Sequence, residues 1–121
     1  MRVISVSAAV EAIAGIVLAV SPAFFVWLIF GASLPPIGQD IGRLAGFALI
    51  ALAAACWPAA NGAAAARGLL VYNVLATLLF LEIGVAREFV GVLLWPAVAL
   101  HAVFSLLLLR IVLQRDVSKT T

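Results

Sequence analysis

The chain is 121 residues long, 67% of them hydrophobic, and only twelve residues, seven Lys or Arg and five Asp or Glu, carry a formal charge. Soluble domains of this size run nearer to about 50% apolar and about 25% charged, so the composition argues against a water-soluble fold and points to a bilayer. A single cysteine, Cys56, leaves no internal disulfide or thiolate metal cluster, and an average share of Gly and Pro without polar tracts speaks against disorder.

A membrane-crossing helix needs roughly 20 mostly apolar residues. Four segments approach that length, at about 3–21, 37–57, 68–85 and 91–112. The first closes at Pro22, which removes a backbone donor and disfavours helix at Ser21, so a kink or break is expected there. The apolar, aromatic-rich stretch 23–30 that follows is read as an interfacial segment. A cleaved secretory signal is the competing reading of this N-terminus, with Met1 and Arg2 ahead of the apolar run; Glu11 in its middle and Pro22 near the would-be cleavage region count against it.

Gly31, Ser33, Pro35 and Pro36 punctuate the chain before the second span, Pro58, Asn61 and Gly62 before the third, and Arg87 and Glu88 before the fourth. Connections this short make neighbouring spans antiparallel. The expected fold is therefore an all-α integral membrane protein: one membrane domain of four transmembrane helices in an up-and-down bundle. Arg2, Arg67, Arg110, Arg115 and Lys119 fall on the side of the two termini, whereas Arg43 and Arg87 fall on the other. Basic residues are retained in the cytoplasm, which predicts that both termini of this multi-pass chain lie there. The net charge of +2 reflects this placement and gives no indication of nucleic-acid binding. Pro96, six residues into the expected fourth span, should bend it and free a carbonyl.

Polar groups at bilayer depth are the informative positions, because a charge there costs from about 2.5 kcal/mol upward. At 1.5 Å per residue, Glu11 lies ~12 Å along the first span and His101 ~16 Å into the fourth from the cytoplasmic side. Thr77 reaches a similar level on the third, with Asn73 one turn away on the same face. Two readings follow. Glu11 and His101 can share a proton at a midplane ligand or proton site completed by Asn73, Thr77, Ser7 and Ser105; or the same groups satisfy one another and tie the helices together. Toward the outer face, Arg43 and Glu82 sit at matching depth, with Asp40 at i−3 from Arg43. They are read first as an ion pair that joins two helices, and otherwise as an outer gate. Cys56, beside Trp57, is read as a packed small residue. The step from Gly42 to Gly46 is a GxxxG motif, and Ser7, Ala8, Glu11, Ala14 and Gly15 share one face of the first span, which turns Glu11 toward protein.

The chain has no histidine pair for haem, no phosphate-binding glycine loop and no nucleophile triad, and Glu11 with His101 supplies too few ligands for a metal. The reading is thus no catalytic residue, no metal and no cofactor, and enzymatic activity is a minority option.

Glu11 in the first span, the proline that closes it, Arg43 to Gly46 at the start of the second, and Trp95, Pro96 and His101 in the fourth together resemble the small bacterial four-helix membrane proteins of the DoxX-like group. That resemblance implies an inner-membrane bundle that serves as an accessory to redox or quinone-linked systems. Glu11 followed by Gly15 in a chain of this length is also similar to the small multidrug resistance transporters, although the aromatic-Trp-Gly pattern of their third helix has no counterpart in 69–85. Two functions follow. The leading one is an accessory subunit of a larger membrane complex or a binder of a small apolar ligand, a lipid or quinone, at the midplane polar site. The alternative is proton-coupled transport of a small molecule through Glu11. The expected partners are the lipid bilayer, a larger complex or a second copy of the chain, and the lipid or quinone itself.

Overall fold

The computed structural model describes residues 2–57, 62–87 and 90–117. These form five helices: α1 (Arg2–Val20), α2 (Pro22–Phe30), α3 (Pro36–Cys56), α4 (Gly62–Ala86) and α5 (Leu94–Val117). There is no strand among the described residues. Four of the helices, α1, α3, α4 and α5, are long and apolar enough to cross a membrane. Only 17–33% of each spanning window is buried, so apolar side chains such as Ile13, Ile37, Leu75 and Leu106 cover the outside of the molecule. Such a surface suits hydrocarbon and not water.

The breaks fall where proline and glycine put them. Ser21 leaves the helical region (φ −140°, ψ 74°) and Pro22 opens α2 at its first position, where a missing N–H is not needed. Gly31 ends α2 in the left-handed conformation (φ 65°), its N–H donating to the Trp27 carbonyl. Pro35 and Pro36 then start α3. Three boundaries differ from those expected, one of them the end of α5, at Val117 rather than near residue 112. Helix α4 begins at Gly62 rather than near residue 68, because the alanines that follow are strong helix formers, and Arg67 accordingly lies inside the helix and not in a loop. Helix α5 begins at Leu94, since Gly91 and Leu93 instead donate backbone hydrogen bonds to the Ile29 and Leu28 carbonyls of α2, at 3.1 Å each. Pro96 thus stands in the first turn of α5, where no intrahelical donor is lost. The expected mid-helix bend has no cause there.

Helix α1 packs chiefly on α3, and α4 chiefly on α5. Both pairs run antiparallel: Leu18 and Pro22 lie against Gly42, and Gly15 against Gly46; Trp95 lies against Gly84, and Arg115 against Gly62. The GxxxG step serves the α1 contact. A methyl group on Gly46 would meet the Gly15 carbonyl oxygen at 2.7 Å and the Ala19 Cα at 3.0 Å, so backbones touch there. Near the start of α1, a close-packed apolar cluster forms from Ile4, Ala8, Cys56, Ala66, Leu69, Phe104 and Leu108. Cys56 is buried in it, as a packed residue whose thiol contacts the Ala65 carbonyl at 3.8 Å. Farther along α1 the packing opens.

Two glycine substitutions test this packing. Gly46→Ala drives a methyl into the α1 backbone and lowers unfolding free energy by about 1–3 kcal/mol. Gly68→Ala, whose added carbon would meet only the Cys56 Sγ at 4.0 Å, raises stability by up to about 1 kcal/mol through helix propensity. Thermal unfolding in detergent ranks the two, and the reverse order would refute the α1–α3 contact.

Candidate functional site

The side chains buried from solvent include four polar ones, Ser7, Glu11, Asn73 and His101, each between 0% and 7% exposed. They lie just beyond the apolar cluster, on α1, α4 and α5. Asn73 Nδ2 donates to Ser7 Oγ at 3.3 Å, a link between α4 and α1, and also to the Leu69 carbonyl of its own helix at 2.8 Å. One turn along α1 from Ser7, Glu11 faces His101 of α5, with Oε1 3.8 Å from Nε2. The structure therefore brings Glu11 and His101 together, although at a separation longer than a hydrogen bond.

The supporting groups behave differently from the expected network. Thr77 Oγ1 donates to the Asn73 carbonyl at 2.7 Å, and Ser105 Oγ to the His101 carbonyl at 2.8 Å. Each hydroxyl thus bonds back to its own helix at i−4, the local competition that Ser and Thr commonly win inside helices. Neither reaches the Glu11 or His101 side chain. Asn73 Nδ2 is likewise committed to Ser7 and Leu69, so four of the six polar groups form a Ser7–Asn73 link and a separate Glu11–His101 pair, and Thr77 and Ser105 join neither.

Tyr72 completes the site. The one tyrosine of the chain sits in the middle of α4 and presents its hydroxyl to the Glu11 carboxyl. The contact is loose, because neither carboxyl oxygen of Glu11 has a hydrogen-bond partner. A signal for Tyr72 existed in the sequence: membrane tyrosines concentrate near the two interfaces, and this one is ten residues from the start of its helix. It escapes a search for faces because it is adjacent to Asn73, some 100° around α4 from the Asn73–Thr77 stripe.

These groups close one end of a cavity of about 300 Å³. Val10, Glu11 and Ala14 of α1 line one side, and Tyr72 and Phe80 of α4 another. Helix α2 contributes Phe25 and Ile29, and α5 contributes Pro96, Ala97, Leu100 and His101. The stretch expected to lie in the interface thus supplies a wall of the cavity, held there by the backbone bonds from Gly91 and Leu93. Phe80 meets His101 edge-on at 5.4 Å, and Phe30 meets Phe80 edge-on at 5.7 Å, geometries that aromatic pairs favour. Leu93, Pro96 and Leu100 are exposed, so the cavity opens on the outer, apolar side of α5.

Arg43, Asp40 and Glu82 are arranged more simply. Arg43 pairs with Asp40 at 3.3 Å on the surface of α3. Glu82 is exposed on α4 and makes no ion pair among the described residues. An Arg43–Glu82 bridge between helices does not form, because α3 is committed to α1 and touches α4 only lightly.

The two polar pairs predict different couplings. A double-mutant cycle on Ser7→Ala and Asn73→Ala, followed by unfolding in detergent, yields an interaction energy of about 0.6 kcal/mol, the usual size for a hydrogen bond between membrane helices. Ser7→Ala combined with Thr77→Val yields none, since Thr77 bonds only within α4; equal couplings would contradict this hydrogen-bond pattern.

No family model, curated protein or solved structure matches this chain.

Proposed function

We propose that this chain is a multi-pass protein of a bacterial inner membrane, an up-and-down bundle with both termini in the cytoplasm, which holds a small apolar ligand of the lipid or quinone kind in the cavity ending on Glu11, His101 and Tyr72. One observation carries the reading: an otherwise apolar cavity of about 300 Å³ has its few polar groups gathered at its inner end. Ligand sites are commonly mostly apolar, with a small number of placed polar groups that fix orientation. The volume is at the lower limit of such sites, about 300–1,000 Å³, and suits a single ring or head group better than a whole lipid.

The exposed rim supports entry from the side. Leu93, Pro96 and Leu100 lie on the apolar exterior that would face lipid tails, so a ligand dissolved in the bilayer reaches the cavity without crossing water. The buried carboxyl of Glu11 supports a site over a packing role, because neither of its oxygens bonds to a neighbouring helix, whereas Asn73 Nδ2 and Ser7 are joined across helices. Antiparallel pairing of α1 with α3 and of α4 with α5 supports the up-and-down bundle, and five basic residues against two support cytoplasmic termini.

Binding is tested with para-butylphenol on protein in nanodiscs, with empty nanodiscs as the blank. Saturable binding is expected for the native chain, and Leu100→Trp, which fills the mouth of the cavity, weakens it at least about tenfold, or 1.4 kcal/mol. Unchanged affinity in that variant would place the ligand elsewhere. For orientation, a C-terminal phosphatase fusion is expected to be inactive and a C-terminal green fluorescent protein bright; the opposite pattern puts the termini outside.

A further inference from the structure

Helix α5 dictates the tautomer of His101. Nδ1 lies 2.7 Å from the Ala97 carbonyl oxygen. A carbonyl can only accept, so Nδ1 carries the hydrogen and donates it. In the neutral ring Nε2 then holds a bare lone pair, and Nε2 is the nitrogen turned toward Glu11. Opposite it stand two carboxyl oxygens that lack any hydrogen-bond partner, on a residue only 1% exposed. The Tyr72 hydroxyl is the one donor that the cavity lining offers to this carboxyl. The polar end is therefore richer in acceptors than in donors, and buried acceptors in native proteins are normally matched.

The walls beside it are aromatic. Phe25, Tyr72, Phe80 and His101 all line the cavity. Phe80 is held edge-on to His101 and backed by Phe30, and Tyr72 lies 6.0 Å from the His101 ring. Rings fixed in this way accept another ring in edge-on or offset contact. The volume admits one substituted ring, and the apolar mouth at Leu93 and Leu100 lets an alkyl tail run out into lipid.

We propose that the cavity is a site for a lipophilic phenol, whose ring lies among these aromatic side chains while its hydroxyl donates to the Glu11 carboxyl and accepts from Tyr72. The inference rests on the cavity being a ligand site and narrows the ligand from the lipid or quinone kind to its hydroxyl-bearing members, hydroquinones among them. The selectivity follows from hydrogen-bond inventory. A carbonyl on a ring of the same shape has no hydrogen to give and leaves a Glu11 oxygen bare whether Glu11 or His101 holds a proton. A hydroxyl both donates and accepts, and so meets either state.

The test compares para-butylphenol with its methyl ether, para-butylanisole, and with butylbenzene, by saturable binding to the native protein in nanodiscs. The phenol is expected to bind about tenfold tighter than the ether. In Glu11→Leu that preference falls below about twofold while butylbenzene still binds. Equal affinity for phenol and ether in the native protein overturns the phenol assignment, and if Leu100→Trp blocks both, the cavity remains a ligand site. No saturable binding of any of the three overturns both readings. The native-protein comparison needs no variant to fold.

Discussion

A buried carboxyl without hydrogen-bond partners is the constraint around which this molecule is arranged. In an apolar environment such a group is costly, and it persists where neighbouring elements hold it in place. Here Glu11 is held by α1, which is bound backbone to backbone to α3 at Gly15 and Gly46. It is faced by His101 from α5 and by Tyr72 from α4. If α1 moved by a turn the acid would lose both neighbours, and if α4 or α5 did it would lose one. The tight contacts elsewhere, the apolar cluster at the start of α1 and the Ser7–Asn73 link, keep those helices in register.

The bundle is close-packed at one end and open at the other for a reason visible in residue size. Ala8, Ala66 and Cys56 let α1, α3, α4 and α5 converge around Leu69 and Leu108. Beyond Glu11, Phe25, Phe80 and Pro96 stand where small residues would have allowed closure, and the short helix α2 is inserted as a lining element. That helix is fastened by the main chain. Gly91 approaches the Leu28 carbonyl so closely that no side chain could be accommodated, and its N–H and that of Leu93 take the carbonyls at the end of α2. A loop of α5 thereby satisfies helix-end acceptors that would otherwise be orphaned. The same bonds fix one wall of the cavity.

Local and tertiary hydrogen bonding divide the polar residues into two kinds. Thr77 and Ser105 satisfy themselves within a turn of helix, and so shape no site even though their spacing puts them beside site residues. Asn73 and Ser7 bond to each other across helices through the Asn73 amide nitrogen, while Asn73 Oδ1 has no partner. Glu11 is left over, and a group left over at the end of an apolar cavity is what a ligand can answer.

Composition and periodic punctuation determined much of this protein by themselves. Two-thirds apolar residues with few charges allow hardly anything but membrane-length helices, and Pro22, Gly31 and Pro36 end or start helices through backbone geometry that acts within a few residues. The meeting of Glu11 with His101 was also legible, because a fixed rise per residue along two apolar helices puts them at similar levels. What the tertiary structure decided is lateral position, which depth does not specify. Rotation about the helix axis brought Tyr72 to Glu11 and turned Thr77 away. The choice of α1 as partner of α3 left Arg43 paired with Asp40 and not with Glu82, and the Gly91 contact folded the 22–30 stretch back as a cavity wall. Each of these depends on which helix faces lie together, a matter of side-chain fit between segments distant in sequence that the spacing along any one segment cannot encode.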